Sequence, residues 1–163
     1  MTALPRSFVA RHAMGNRVCG IALAARDGFS ARYDLDRQAG VFIRPQHALA
    51  GQSYVGRILV VDTAKGGVAS AWMLAEMRSR DKVPLAFVFN SVNPILVQGA
   101  AFADLPMLAG FDDDITAQVQ SGDEVEVDPG SKTLTIVTRV PRRITVPIAV
   151  VPRGPDSQSG DKA

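Results

Sequence analysis

Two short runs of consecutive apolar residues, set a helix-length apart, constrain this chain more than any other feature. Residues 57–62 read RILVVD and residues 85–89 read LAFVF. A strand with one wet face alternates apolar and polar side chains. A strand that is apolar throughout must be covered on both faces, as in the middle of an α/β sheet. Between the runs, residues 68–80 are rich in Ala, Met and Leu, with Arg78 and Arg80 at the end where cations complement a helix dipole. Val83-Pro84 restarts the chain. Asn93-Pro94 then opens a second helix, with Asn93 as N-cap and Pro94 as first helical residue, running to about Ala103. Residues 106–108 form a third short strand. Strand, helix, strand, helix, strand implies parallel pairing with right-handed crossovers. The expected fold class is therefore α/β with a central parallel strand–helix unit.

The flanks read as β-rich. Residues 7–12 and 18–24 are extended runs around the turn-forming pair Gly15-Asn16, and Gly28, Gly40, Gly51 and Gly56 punctuate the stretch between them and the first apolar run. Residues 112–120 suit a short helix. Residues 124–128 and 133–137 alternate around Pro129-Gly130, a hairpin signal. Residues 140–151 read as extended. A length of 163 residues argues for one domain, placed at 1–151, with a polar, disordered tail at 152–163. With 47% hydrophobic and 21% charged residues, the chain can bury a sizeable core. The net charge is +2, and Lys and Arg alternate with acids. Nucleic-acid binding would want a basic stripe interleaved with aromatics, and none is present. No apolar stretch approaches the roughly 20 residues of a membrane span, and residues 1–8 lack a signal-peptide apolar region. A cytoplasmic location is expected.

Chemistry is best sought in the loop from Asp62 to Ser70 (DTAKGGVAS). It leaves the C-terminal end of a buried strand, where α/β folds bind ligands, and enters a helix whose first N–H groups are unpaired. Gly66 and Gly67 let the backbone approach a ligand, and Lys65 adds a full positive charge. An anion such as a carboxylate suits this pocket. The spacing matches neither a Walker loop nor a dinucleotide fingerprint. A tight strand-to-helix turn, with Ser70 an ordinary helix-start residue and Lys65 in water, explains the same residues. Asn90 and Asn93 bracket the end of the second strand on the same edge, where they suit substrate contact or capping. Cys19, the only cysteine, reads as a small buried hydrophobe, since no His is placed to activate it. One thiol also cannot hold an iron–sulfur cluster. His12 and His47 have no metal-ligand spacing, and an acidic helix start accounts for Asp112, Asp113 and Asp114, so no metal site is expected. Trp72, Met73 and Met77 suit core or interface.

Several stretches together resemble the aconitase X family. Gly51-Gln52-Ser53 with residues 56–60 (GRILV) looks like the start of its swivelling domain, and residues 65–70 (KGGVAS) fall at its Gly- and Ser-containing loop. Residues 84–89 (PLAFVF), 93–96 (NPIL) and 122–128 (GDEVEVD) fit its next strand, helix and closing strand. The resemblance covers roughly residues 15–138. It implies an aconitase-type swivelling β/β/α domain. Family members are dehydratases acting on cis-3-hydroxy-L-proline or mevalonate 5-phosphate. Standing alone, the chain is then expected to be the small subunit of a hydro-lyase, inactive without a large subunit that carries the iron–sulfur cluster. The chain itself would bind no cofactor. The substrate implied is a small hydroxy acid, cis-3-hydroxy-L-proline first. By the same resemblance Ser70 is the catalytic base; Lys65, Gly66, Gly67 and Asn90 are expected to bind substrate from their own chemistry and place at the strand ends. A non-catalytic anion-binding or regulatory module of the same fold is the alternative.

Overall fold

The computed structural model describes residues 5–141. The tail at 152–163 and nearly all of the extended run at 140–151 lie outside the described residues. In chain order the elements are β1 (Arg6–Met14), β2 (Val18–Ala24), β3 (Leu35–Asp36), β4 (Val41–Phe42), β5 (Ile58–Thr63), α1 (Val68–Ser79), β6 (Ala86–Ser91), α2 (Pro94–Phe102), β7 (Met107–Phe111), α3 (Ile115–Gln118), β8 (Glu124–Asp128) and β9 (Thr133–Thr138). The fold is mixed α/β and rich in strands. Seven strands close into a barrel in the order β1-β7-β6-β5-β2-β8-β9, and β9 pairs back on β1. β3 and β4 form a separate two-stranded sheet.

The two apolar runs are β5 and β6, and their composition follows from where their faces point. Ile58 and Val60 of β5, with Ala86 and Val88 of β6, turn into the barrel beside Leu108, Val125, Val127 and Leu134. Leu59 and Val61, with Phe87 and Phe89, turn outward onto Leu74 and Met77 of α1 and Leu96 of α2. Each face is thus buried. A fully buried Val, Leu, Ile or Phe contributes about 1.5–3 kcal/mol, so a polar residue at any of these eight positions would be costly.

Closure of the sheet into a barrel is not part of the reading from the apolar runs. β1 is long enough to serve two neighbours: residues 6–9 pair with β9, and Ala10 with residues 12–14 pairs with β7. This satisfies both sheet edges at once. Although Gly15 separates β1 from β2, the two strands do not pair with each other. Gly15 (φ +91°) lies against the start of β7, where a Cβ would fall 2.7 Å from Pro106 Cα. The turn is wedged there and no hairpin forms.

Two readings, of Cys19 and of the short helix near Asp112, need correction. Cys19 is exposed, because the alternation of β2 turns Val18 and Gly20 toward the barrel and Cys19 outward. Of Trp72, Met73 and Met77, which suit core or interface, Met77 is fully in the core, Met73 packs against it and Trp72 is 73% exposed. The short helix begins at Ile115: Asp114 caps it by accepting from Thr116 N, while Asp112 and Asp113 lie before it. None of the helices among the described residues is long and apolar enough to cross a membrane.

Candidate functional site

Where β5 ends at Thr63, residues 64–67 turn the chain into α1. Gly66 adopts φ +118°, a conformation favouring glycine. A Cβ there would overlap Ser70 Oγ and lie 2.8 Å from Ser70 Cβ. The Ser70 side chain therefore occupies the space this glycine leaves open. Gly67 is the N-cap residue of α1, and no side chain caps the helix. Lys65 N–H donates to Phe29 O at 2.7 Å, but the N–H groups of residues 66–69 have no acceptor among the described residues. They are the orphan donors of a helix start.

A second wall comes from the irregular segment between β2 and β5. It is stitched to the first by Phe29 N–H donating to Thr63 O at 2.8 Å. Gly28 leaves room for the Lys65 side chain, whose Cε would lie 3.0 Å from a Cβ at residue 28. Asp34, 3% exposed, accepts from Ser30 N–H at 2.8 Å and from Arg44 Nε at 2.6 Å. Buried His47 braces the segment from behind. Its Nδ1 accepts from Leu49 N–H at 3.0 Å, so the neutral ring carries its proton on Nε2 and donates it to Gly28 O at 2.7 Å. The ring also stacks on Phe42. Asp27 accepts from the N–H groups of Gly28 and Ala48. Partial burial pushes its carboxyl up, but these N–H groups and nearby positive charge outweigh it and hold the carboxyl below its ordinary value.

Between the walls lies a cavity of about 440 Å³, lined by Ser30, Arg32, Tyr33, Asp34 and Arg44 on one side and by Lys65, Gly66, Gly67, Ala69 and Ser70 on the other. Its size suits a small metabolite. Ser70 is only 3% exposed, yet it lines the cavity and its Oγ has no hydrogen-bond partner among the described residues. Three cationic side chains face one carboxylate, and that carboxylate is paired with Arg44. Orphan N–H groups and the positive end of the α1 dipole add to the same potential. The arrangement can hold an anion next to a serine hydroxyl.

Lys65, Gly66, Gly67 and Ser70 are thus brought to one cavity. Asn90 is not. Its Nδ2 donates to Asp62 Oδ1 at 2.9 Å and Asp114 Oδ1 at 2.7 Å, and its Oδ1 accepts from Ile115 N–H at 2.8 Å. The whole amide is used to tie β5, β6 and α3 together. Asn93 is the N-cap of α2, accepting from Leu96 N–H at 2.9 Å. Sequence reasoning missed Ser30, Arg32, Tyr33, Asp34 and Arg44. They lie in a stretch without apolar periodicity, and only the tertiary stitch at Phe29 brings them to the loop.

Among the described residues no three His, Cys, Asp or Glu side chains are grouped to hold a metal ion. Cys19, exposed on β2, is absent from the cavity lining. The residues present do not form a ligand set for an iron–sulfur cluster.

Residues 7–136 match the family model described as the aconitase X swivel domain. The chain is 32% identical over 98 residues to the phosphomevalonate dehydratase small subunit of Methanopyrus kandleri, covering 60% of this chain and 73% of that one. The subunit of the same name from Thermococcus kodakarensis is 26% identical over 127 residues, 78% of this chain and 93% of that one. The crystal structure of aconitase X from Thermococcus kodakaraensis in its holo-form superposes with a TM-score of 0.75 at 25% identity, over 81% of this chain and 98% of that chain.

Proposed function

Because the chain belongs to the aconitase X swivel-domain family, we propose that it is the small subunit of a hydro-lyase that dehydrates an anionic hydroxy acid. The observation that carries this reading is Ser70: nearly buried, unpaired, and aimed into a cationic cavity at the start of α1. Its similarity to subunits named as dehydratases weighs against a non-catalytic module of the same fold.

Elimination of water moves a proton from the carbon beside a carboxylate to a base and expels the hydroxyl group from the next carbon. The carboxylate must be held while negative charge builds on it. Lys65 and the orphan N–H groups of residues 66–69 supply fixed positive charge for that purpose. Ser70 Oγ, as the alkoxide, is the proton acceptor, and the helix dipole favours that anionic form. Departure of the hydroxyl calls for a Lewis acid, and no ligand set for one is grouped among the described residues. We assign it to an iron–sulfur cluster on a large partner subunit, which the loop at residues 65–70 faces.

The excess of positive charge bears on the substrate. cis-3-Hydroxy-L-proline carries one carboxylate and one ammonium group, whereas phosphomevalonate carries a carboxylate and a phosphate. A cavity with Arg32, Arg44 and Lys65 against Asp34 favours the more anionic molecule. The relatives' name points the same way. The reading is tested by co-purifying the chain with its partner from the native host and assaying both acids. Dehydration by the complex, with phosphomevalonate the better substrate and the chain alone inactive, is expected. Turnover by the isolated chain, or a complex inert toward every hydroxy acid tried, would contradict it.

A further inference from the structure

Asn93 makes a second contact that capping does not explain. Its Oδ1 accepts from Leu96 N–H at the start of α2, and its Nδ2 reaches across to Gly66 O at 3.1 Å. One side chain thus ties the start of one helix to the loop that begins the other. Both ends of its amide are satisfied, so its orientation is fixed. Asn93 itself does not line the cavity, whereas Gly66 and Gly67 do.

The consequence follows from peptide geometry. In a trans peptide the C=O and the following N–H point in opposite directions. Holding Gly66 O toward Asn93 therefore directs Gly67 N–H away from Asn93. With glycine on both sides of this peptide, no side chain would otherwise resist its rotation, and a flipped peptide would present a carbonyl oxygen where the N–H now stands. Gly67 N–H has no acceptor among the described residues.

We infer that Asn93 is a positioning residue: it locks the Gly66–Gly67 peptide so that Gly67 N–H donates to the anion in the cavity. This rests on reading the cavity as an anion site. The lock sets an oriented donor in place before ligand arrives, so no reorganisation is needed on binding.

The test separates the two roles of Asn93. Asn93→Ser retains a neutral N-cap but loses the donor to Gly66 O. Asn93→Asp also retains the cap. The full chain, labelled with ¹⁵N, is titrated with inorganic phosphate while the amide resonances of residues 66–70 are followed, and thermal unfolding is measured in parallel. In the unaltered chain, Gly67 N–H should show the largest downfield shift of the group. In Asn93→Ser, phosphate affinity should fall about tenfold, the ratio carried by one hydrogen bond to a charged group, with the unfolding midpoint kept within a few degrees. Asn93→Asp should behave alike, which guards against a local defect in the serine variant. Unchanged phosphate affinity in both variants overturns the positioning role and leaves the anion site standing. No phosphate response at residues 66–70 in the unaltered chain overturns the anion site and this inference with it.

Discussion

A side chain at residue 66 would stand where Ser70 Oγ now lies, and that fact links two substitutions. Ser70→Ala removes the oxygen while keeping a small, helix-favouring residue. In the reconstituted complex, turnover should fall by at least ~100-fold, the lower range for a positioned acid–base group, with little change in the unfolding midpoint. Were Ser70 only a helix-start residue, the same change would leave turnover nearly intact, since its Oγ makes no capping bond to lose. Gly66→Ala should do both kinds of damage. The new Cβ must drive Ser70 Oγ to another rotamer, and the positive φ strains the backbone. A loss of roughly 1 kcal/mol or more in denaturant unfolding should accompany reduced turnover. Normal turnover in Gly66→Ala would mean that the observed Ser70 rotamer is irrelevant to the reaction. At this scale the sequence spoke unevenly. Lys65, Gly66, Gly67 and Ser70 stand together in one short loop, so their convergence was legible. Asn90 shares that sheet edge in sequence, but its amide serves Asp62, Asp114 and Ile115 instead.

Among the elements, β5, α1, β6 and α2 were the most legible because burial on both faces leaves an unbroken apolar run, and capping marks the helix start at Asn93. The segment between β2 and β5 was illegible for the opposite reason. Its order comes from single stitches, such as His47 to Gly28 and Asp34 to Ser30, which leave no period in the sequence. Packing of the two helices depends on Gly99. A Cβ there would lie 2.6 Å from both Cα and Cβ of Ala71, so the helices would have to separate. Gly99→Ala should therefore destabilise the fold by about 1–3 kcal/mol, the usual cost of overpacking, despite alanine's better helix propensity. Urea unfolding measures this directly, and a stability gain would show that α2 can shift freely on α1.

At the scale of the whole fold, three carboxyls among the described residues are held below their ordinary value near 3.8. Asp114 is held down by hydrogen bonds from Thr116 and Asn90. Asp128 is held down by its hydrogen bond from Ser131. Asp27 is pushed up by burial and, more strongly, down by backbone N–H groups and nearby positive charge. A depressed folded pKa contributes stability that is present above the unfolded value and lost as pH falls through the folded one. The unfolding midpoint should thus fall as pH drops below about 4, and only modestly, since solvent screens these three carboxyls. Asp114→Asn, which removes one such carboxyl, should make the acid drop shallower. A midpoint that stays constant down to pH 2 would contradict this account.

The double pairing of β1 has a consequence for the order in which the chain acquires its structure. Synthesis delivers β1 well before its partners, which are β7, about a hundred residues later, and β9, with Arg6 opposite Ile136. Until β7 has left the ribosome, neither part of β1 has its strand to zip against, and residues 6–9 wait longer, for β9. Such remote closure is entropically slow, so the seam between β1 and β9 is expected to form late in folding.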